Sequence, residues 1–114
     1  QSEVLGENEL AKAFYDKFPV TEGHVLIVPK RHVKSYFELF QPELNAINRL
    51  MKQVREQLMV GDSNITGFNI GTNDGLDAGQ TVMHCHMHLI PRRENDTSDP
   101  RGGVRGVIPE KQKY

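Results

Sequence analysis

Cysteine is almost absent from this chain of 114 residues. Cys85 stands alone, so no intramolecular disulfide can form and a reducing, cytoplasmic compartment is expected. Long apolar runs are missing too: the longest, "VLIV" at 25–28, falls far short of the ~20 residues that a membrane-spanning helix needs. Nor is there an excess of charge, since 14 Lys plus Arg against 15 Asp plus Glu leave a formal net charge of −1. A dedicated nucleic-acid binder normally carries a clear basic surplus, so that class is set aside. A small anionic ligand needs only a local positive site and stays open. The opening "QSEVLGENEL" lacks the basic, apolar and small-residue succession of a secretory signal. It also begins without Met, which leaves room for residues upstream of Gln1. The glycosylation pattern Asn95-Asp96-Thr97 reads as chance in a chain expected to be cytoplasmic. No repeat or linker divides the chain, and 114 residues suffice for one domain with its own core.

What is present is a regular alternation of elements. "ELAKAFYD" (9–16) suits a strand that ends before the turn-forming "DKFPVTEG". "GHVLIVPK" (23–30) is bounded by Gly23 and Pro29; a strand there puts His24, Leu26 and Val28 on one face and Val25 and Ile27 on the other. The clearest helix starts near Pro42, which suits a first turn. Leu44, Ile47, Leu50, Met51, Val54 and Leu58 recur at spacings of three and four, and Gly61 suits its end. "NITGFNIG" (64–71) reads as a strand, "TNDGLDAG" (72–79) as a loop, and "TVMHCHMHLI" (81–90) as a strand stopped by Pro91. From Arg92 the chain is rich in Gly, Pro and charge, without periodicity. The expected division is a core of 1–92 and a C-terminal tail of 93–114, mobile or in contact with a dimer partner. One long helix among strands predicts an α+β fold: an antiparallel sheet with a long helix and a short helix packed on one face.

Three of the chain's five histidines, His84, His86 and His88, alternate within five residues. On a strand their side chains share one face, with Cys85 and Met87 on the other. Three readings follow. A single metal ion is geometrically awkward, because the outer Cα atoms would lie about 13 Å apart while zinc wants its nitrogens at about 2.0–2.1 Å. CxxC and HExxH patterns are also missing. A polar, solvent-facing stripe is the second reading. The third is catalytic: neutral imidazole is a nucleophile at neutral pH, so a middle histidine can attack phosphorus while its neighbours donate to the phosphoryl oxygens.

The run His84-Cys85-His86-Met87-His88-Leu89-Ile90 resembles the signature of the histidine triad (HIT) superfamily of nucleotide hydrolases and transferases. The resemblance extends from about Glu9 to Arg92, through "FYDKFPVTEGHVLIVPKRH" and "NDGLDAGQTVMHCHMHLIPR". Its wording is nearer the fragile-histidine-triad and bacterial dinucleoside-polyphosphate hydrolase branches than the galactose-1-phosphate uridylyltransferase branch. The cysteine-rich zinc motif of some bacterial members is missing, so no structural zinc is expected, and no cofactor for the chemistry. The resemblance implies His86 as the nucleophile that becomes nucleotidylated, its other ring nitrogen held by a backbone carbonyl near His84. It implies His88 on the phosphate and His24 as a fourth active-site histidine; a locally satisfied strand histidine is the alternative. Gln80, Thr81 and Asn73 would contact the phosphates or leaving group, or else merely shape the loop. Asp16 would bind the ribose hydroxyls or serve as a turn residue. Phe14 and Leu26 would wall the base pocket or be plain core. Arg92 and Arg93 would meet distal phosphates or act as ordinary surface arginines. The implied protein is a homodimer that cleaves at the α-phosphate of a purine nucleotide derivative, of diadenosine-polyphosphate or adenosine-phosphoramidate type. It would do so through a covalent nucleotidyl-histidine and release AMP. A nucleotide-binding signalling module with slow hydrolysis and a metal-dependent hydrolase are the competing classes.

Overall fold

The computed structural model describes residues 3–114; Gln1 and Ser2, the start of the expected core, lie outside them. Five strands form one antiparallel sheet: β1 (Val4–Glu7), β2 (Ala11–Tyr15), β3 (Val25–Pro29), β4 (Ile65–Gly71) and β5 (Met87–Arg93), in the order β1-β2-β3-β5-β4. The helix α1 (Gln41–Gly61) crosses one face of this sheet against β1, β2 and β3. The α+β architecture expected from the element pattern is therefore the observed one. Among the described residues, no helix is long and apolar enough to cross a membrane.

The two faces of the sheet differ because side chains alternate along a strand. Ala11, Ala13, Val25, Ile27 and Leu89 point at the helix and are fully buried against Ala46, Ile47, Leu50 and Val54. The alanines of β2 let the helix approach closely. Phe14, Leu26 and Val28 take the opposite, helix-free face and are only half-buried, which leaves an apolar bed open to a ligand. At the start of α1, Pro42 occupies the first turn and the Phe40 amide donates to Glu43 Oε1 at 2.8 Å. Glu43 is buried, clasped by Arg31 Nε at 2.8 Å and Nη2 at 2.9 Å, and this guanidinium holds its carboxyl below the usual range. The apolar spacing gave no sign of this buried ion pair.

The structure corrects two sequence expectations. The histidine-bearing strand begins at Met87, not at Thr81: the Cys85 amide is taken by the Val33 carbonyl at 2.7 Å, and ladder pairing starts only at Ile27↔Met87 and Gly71↔His88. Pro91 does not stop that strand, which continues to Arg93. A strand residue's N and C=O point to the same side, and the Pro91 carbonyl accepts from Thr21 Oγ1 at 2.6 Å, on the side where β3 has already ended. The N–H that proline lacks is thus not called for. The expected short helix is the 3-10 turn Tyr36–Glu38. The tail carries two further 3-10 turns, Gly103–Val107 and Pro109–Lys111, the first lying against β4.

Leu50 is fully buried and Val60 is 89% exposed on the same helix. Leu50→Ala should cost about 2–5 kcal/mol, and Val60→Ala less than about 0.5 kcal/mol, by urea denaturation. Equal losses would contradict the face assigned to α1.

Candidate active site

The helix-free face is a grid of cross-strand neighbours. Phe14 lies opposite Leu26, Leu26 opposite His88, and Lys12 opposite Val28. A cavity of about 610 Å³ covers Lys12, Phe14, Leu26 and Val28 and is bounded also by Asp16, Val82, His84 and His86; His88 lies beside it, across from Leu26. His86 sits one residue before β5 and His88 inside it. The extended approach keeps the alternation: Cys85 is buried while His84, His86 and His88 are half-buried on the cavity side. Burial, the largest cause, pushes the Cys85 thiol up to about 11, so it stays protonated and inert at neutral pH.

Hydrogen-bond partners dictate where each imidazole carries its proton. His86 Nδ1 lies 2.8 Å from the His84 carbonyl, an acceptor only, so Nδ1 must hold the hydrogen and Nε2 is left with a free lone pair. His84 Nε2 donates in the same way to the Pro29 carbonyl at 3.0 Å. His24 works in reverse: its Nδ1 accepts the Val20 amide at 3.0 Å, so its hydrogen sits on Nε2. That Nε2 lies 2.9 Å from His88 Nδ1, which must accept. His88 therefore carries its own hydrogen on Nε2. Burial, the leading cause for both, holds His24 and His88 below their ordinary value of 6.5, so both are neutral at neutral pH. The result is a lone pair on His86 and an N–H on His88, with ring centroids 5.1 Å apart.

Asp16 Oδ2 stands 3.5 Å from His24 Nε2, while Oδ1 accepts the Phe18 amide at 2.9 Å. The carboxylate thus serves the turn and faces the cavity at once. Asp16, His24 and His88 present three donor atoms within 4.8 Å of one another, the spacing of a metal centre. The tautomers argue against that use. A cation on His24 Nε2 would push the proton to Nδ1, against the Val20 amide hydrogen; His24 and His88 instead form a hydrogen-bond relay beside Asp16.

With this geometry in place, comparison with known proteins decides the family. The HIT domain model matches residues 1–95. The chain belongs to the HIT domain family. An uncharacterized HIT-like protein of Mycoplasma genitalium is 42% identical over 90 residues, 79% of this chain and 63% of the relative. The asymmetrical bis(5'-nucleosyl)-tetraphosphatase of Schizosaccharomyces pombe is 38% identical over 98 residues, 86% of this chain and 53% of the relative. The chain thus spans between about half and two thirds of the length of these curated relatives. Among solved structures, the diadenosine triphosphate hydrolase of Plasmodium falciparum superposes with a TM-score of 0.73 at 32% identity, covering 96% of this chain and 71% of that one.

Within this HIT domain not every residue the motif singled out reaches the cavity. Gln80, expected at the phosphates, is buried with its amide fully engaged: Oε1 accepts the Gly75 amide at 2.8 Å, and Nε2 donates to the Lys34 and Val82 carbonyls at 2.9 and 3.2 Å. It clamps the loop. Thr81 is exposed, and Asn73 is half-buried beside Thr72. Arg92 and Arg93 are held by structural partners rather than free for distal phosphates. Arg92 grips Asp96 at 2.8 Å through both Nε and Nη2, and Asn69 at 2.7 Å. Arg93 binds Asp62 at 2.9 Å and the Glu22 carbonyl at 2.8 Å. Sequence reasoning missed Thr72, whose hydroxyl donates to the His86 carbonyl at 2.7 Å, and the Val20 amide, which has no side-chain signature at all. It also passed over His32, whose ring lies 4.6 Å from that of His84.

Both relay histidines resist protonation in the fold, so as pH falls below the ordinary 6.5 the unfolded chain binds more protons than the folded one. Stability is present above that pH and is lost on acidification. The melting temperature should drop between about pH 7 and about pH 5, and drop less in His24→Asn. An unchanged pH slope in that variant would show that the relay is not the titrating unit.

Proposed function

We propose that this HIT domain is a nucleotide hydrolase or nucleotidyl transferase acting at the α-phosphate of a purine nucleotide derivative. The observation that carries the reading is the His86 tautomer: Nδ1–H donates to the His84 carbonyl, so Nε2 offers its lone pair beside the Nε2–H of His88. The base rests between Phe14 and Leu26, and the ribose hydroxyls meet Asp16 at the rim of the same cavity. Asn73 and Thr81, beside the triad, are the proposed contacts for the phosphates or leaving group; Gln80 acts by holding their loop.

His86 Nε2 attacks the α-phosphorus and forms a P–N bond as the P–O or P–N bond to the leaving group breaks. The positive charge that builds on the His86 ring is held through Nδ1–H by the His84 carbonyl, and His88 Nε2–H donates to a phosphoryl oxygen. In the second step water attacks phosphorus, the P–N bond to His86 breaks, and the nucleoside monophosphate leaves with the imidazole neutral again. No metal enters this scheme. Relatives named as a bis(5'-nucleosyl)-tetraphosphatase and a diadenosine triphosphate hydrolase support a diadenosine polyphosphate as substrate, with an adenosine phosphoramidate as the other class to try. A cytoplasmic location belongs to this reading, in keeping with the single free Cys85.

With chelator present, the protein should release AMP from diadenosine tetraphosphate or adenosine phosphoramidate, followed by chromatography. His86→Ala should cost on the order of a thousandfold or more, and acid-quenched wild type should carry one added nucleotidyl mass on His86. Near-wild-type turnover by His86→Ala would sink the mechanism. AMP from neither compound, with folded protein, would leave a nucleotide-binding role.

A homodimer is also proposed. β4 is a sheet edge and presents Ile70, 49% exposed; an apolar edge of this kind is usually covered. Light scattering at micromolar concentration should give twice the chain mass, and a monomer would refute it.

A further inference from the structure

We propose that the C-terminal tail builds a second nucleoside site on the same face, so that a dinucleoside polyphosphate is held at both ends. This rests on the nucleotide reading of the triad above and names the class of leaving group. Ile90 follows His88 by two residues on β5 and shares its face, about 7 Å farther along the strand. There a cavity of about 460 Å³ opens, on the side of the triad away from Val28 and Lys12. Ile90 and its cross-strand partner Asn69 form the floor. Val20 and Thr21, the turn that anchors His24 and Pro91, form one wall. The tail forms the other, from Thr97 to Gln112.

That wall is built, not draped. Arg105 donates to the carbonyls of Lys111 and Gln112 at 2.9 and 3.2 Å, and Gln112 Nε2 donates to the Arg101 carbonyl at 3.2 Å. Glycine is required where the segments of the tail meet: a Cβ at Gly102, at φ 90, would collide with the Gln112 backbone carbonyl, and Gly106 lies close under the Gln112 side chain. Gly103 brings the tail onto the sheet, where a Cβ would lie 3.2 Å from Asn69 Nδ2.

The chemistry of the cavity selects its occupant. Arg92, the cation that lines it, is neutralised by the two oxygens of Asp96. A phosphate gains little there, whereas a neutral nucleoside finds the apolar Ile90 and Val20 with amides and a hydroxyl at Asn69, Gln112 and Thr97. The size lies within the roughly 300–1,000 Å³ of small-molecule sites. One nucleoside in the Phe14–Leu26 bed and the other on Ile90 leaves the phosphate chain to cross the triad between them.

The test is calorimetric binding to the His86→Ala protein, comparing diadenosine tetraphosphate with adenosine tetraphosphate. Both carry the same phosphates, and only the first has a second nucleoside. The two-headed ligand should bind on the order of tenfold more tightly. Thr97→Trp, at an exposed position at the cavity wall, should erase that margin while leaving adenosine tetraphosphate within about twofold. Equal affinities before the substitution, or a margin that survives it, overturn the second site. Binding of neither ligand instead overturns the nucleotide reading beneath it and takes this proposal with it.

Discussion

A single backbone hydrogen bond, from the Val20 amide to His24 Nδ1, decides the proton positions of His24 and His88. Because the amide can only donate, His24 must keep its hydrogen on the far nitrogen, His88 must accept it, and His88 then presents a donor to whatever lies over the triad. The bond exists only if the turn between β2 and β3 is held in place. Gly23 makes that possible at φ 91, where a side chain would be strained and would press on Pro91 at 3.3 Å. Thr21 ties the same turn to β5 through the Pro91 carbonyl. The His88 tautomer therefore depends on a glycine, a threonine and a proline outside the triad.

Much of this was readable in the chain. The spacings of α1 and the short β-rich runs located every strand interior except that of β1, because alternation and three-to-four periodicity are properties of one segment and its nearest solvent boundary. The three histidines announced themselves by number and spacing. What the sequence could not display was the destination of side chains whose partners come from afar. Gln80 looks the same whether it faces phosphate or the Lys34 carbonyl; only the approach of the residue 34 segment, 46 positions away, settles it. Arg92 and Arg93 end a strand beside the triad, yet Asp96, Asn69 and Asp62 claim them. Glu43, a charged residue in the first turn of a helix, is buried because Arg31, twelve positions upstream, pairs with it.

The sheet divides its labour between its two faces. Alanines at 11 and 13 seat α1 closely on one side, and the larger Phe14, Leu26 and Val28 fill the other without being covered. Because adjacent positions on one strand serve opposite faces, packing that fixes the core also fixes the ligand bed. A change of register by one residue would exchange the two faces outright. The placement that the proposed attack by His86 needs is thus inherited from the hydrophobic core rather than from the loop that carries it.

Pro91 has a consequence for the chain's behaviour in a crowded solution. Past Val25, β5 runs on without β3 beside it, and strand backbone left unpaired is a template on which stray polypeptide can condense; here the Thr21–Gly23 turn covers it and leaves Pro91 fully buried. Proline supplies no amide hydrogen there, and the carbonyl is already occupied by Thr21. An invading strand would find neither half of the ladder available. The gap that β3 leaves is therefore closed by a turn and a proline, so β5 is sealed against added strands without a further strand of its own.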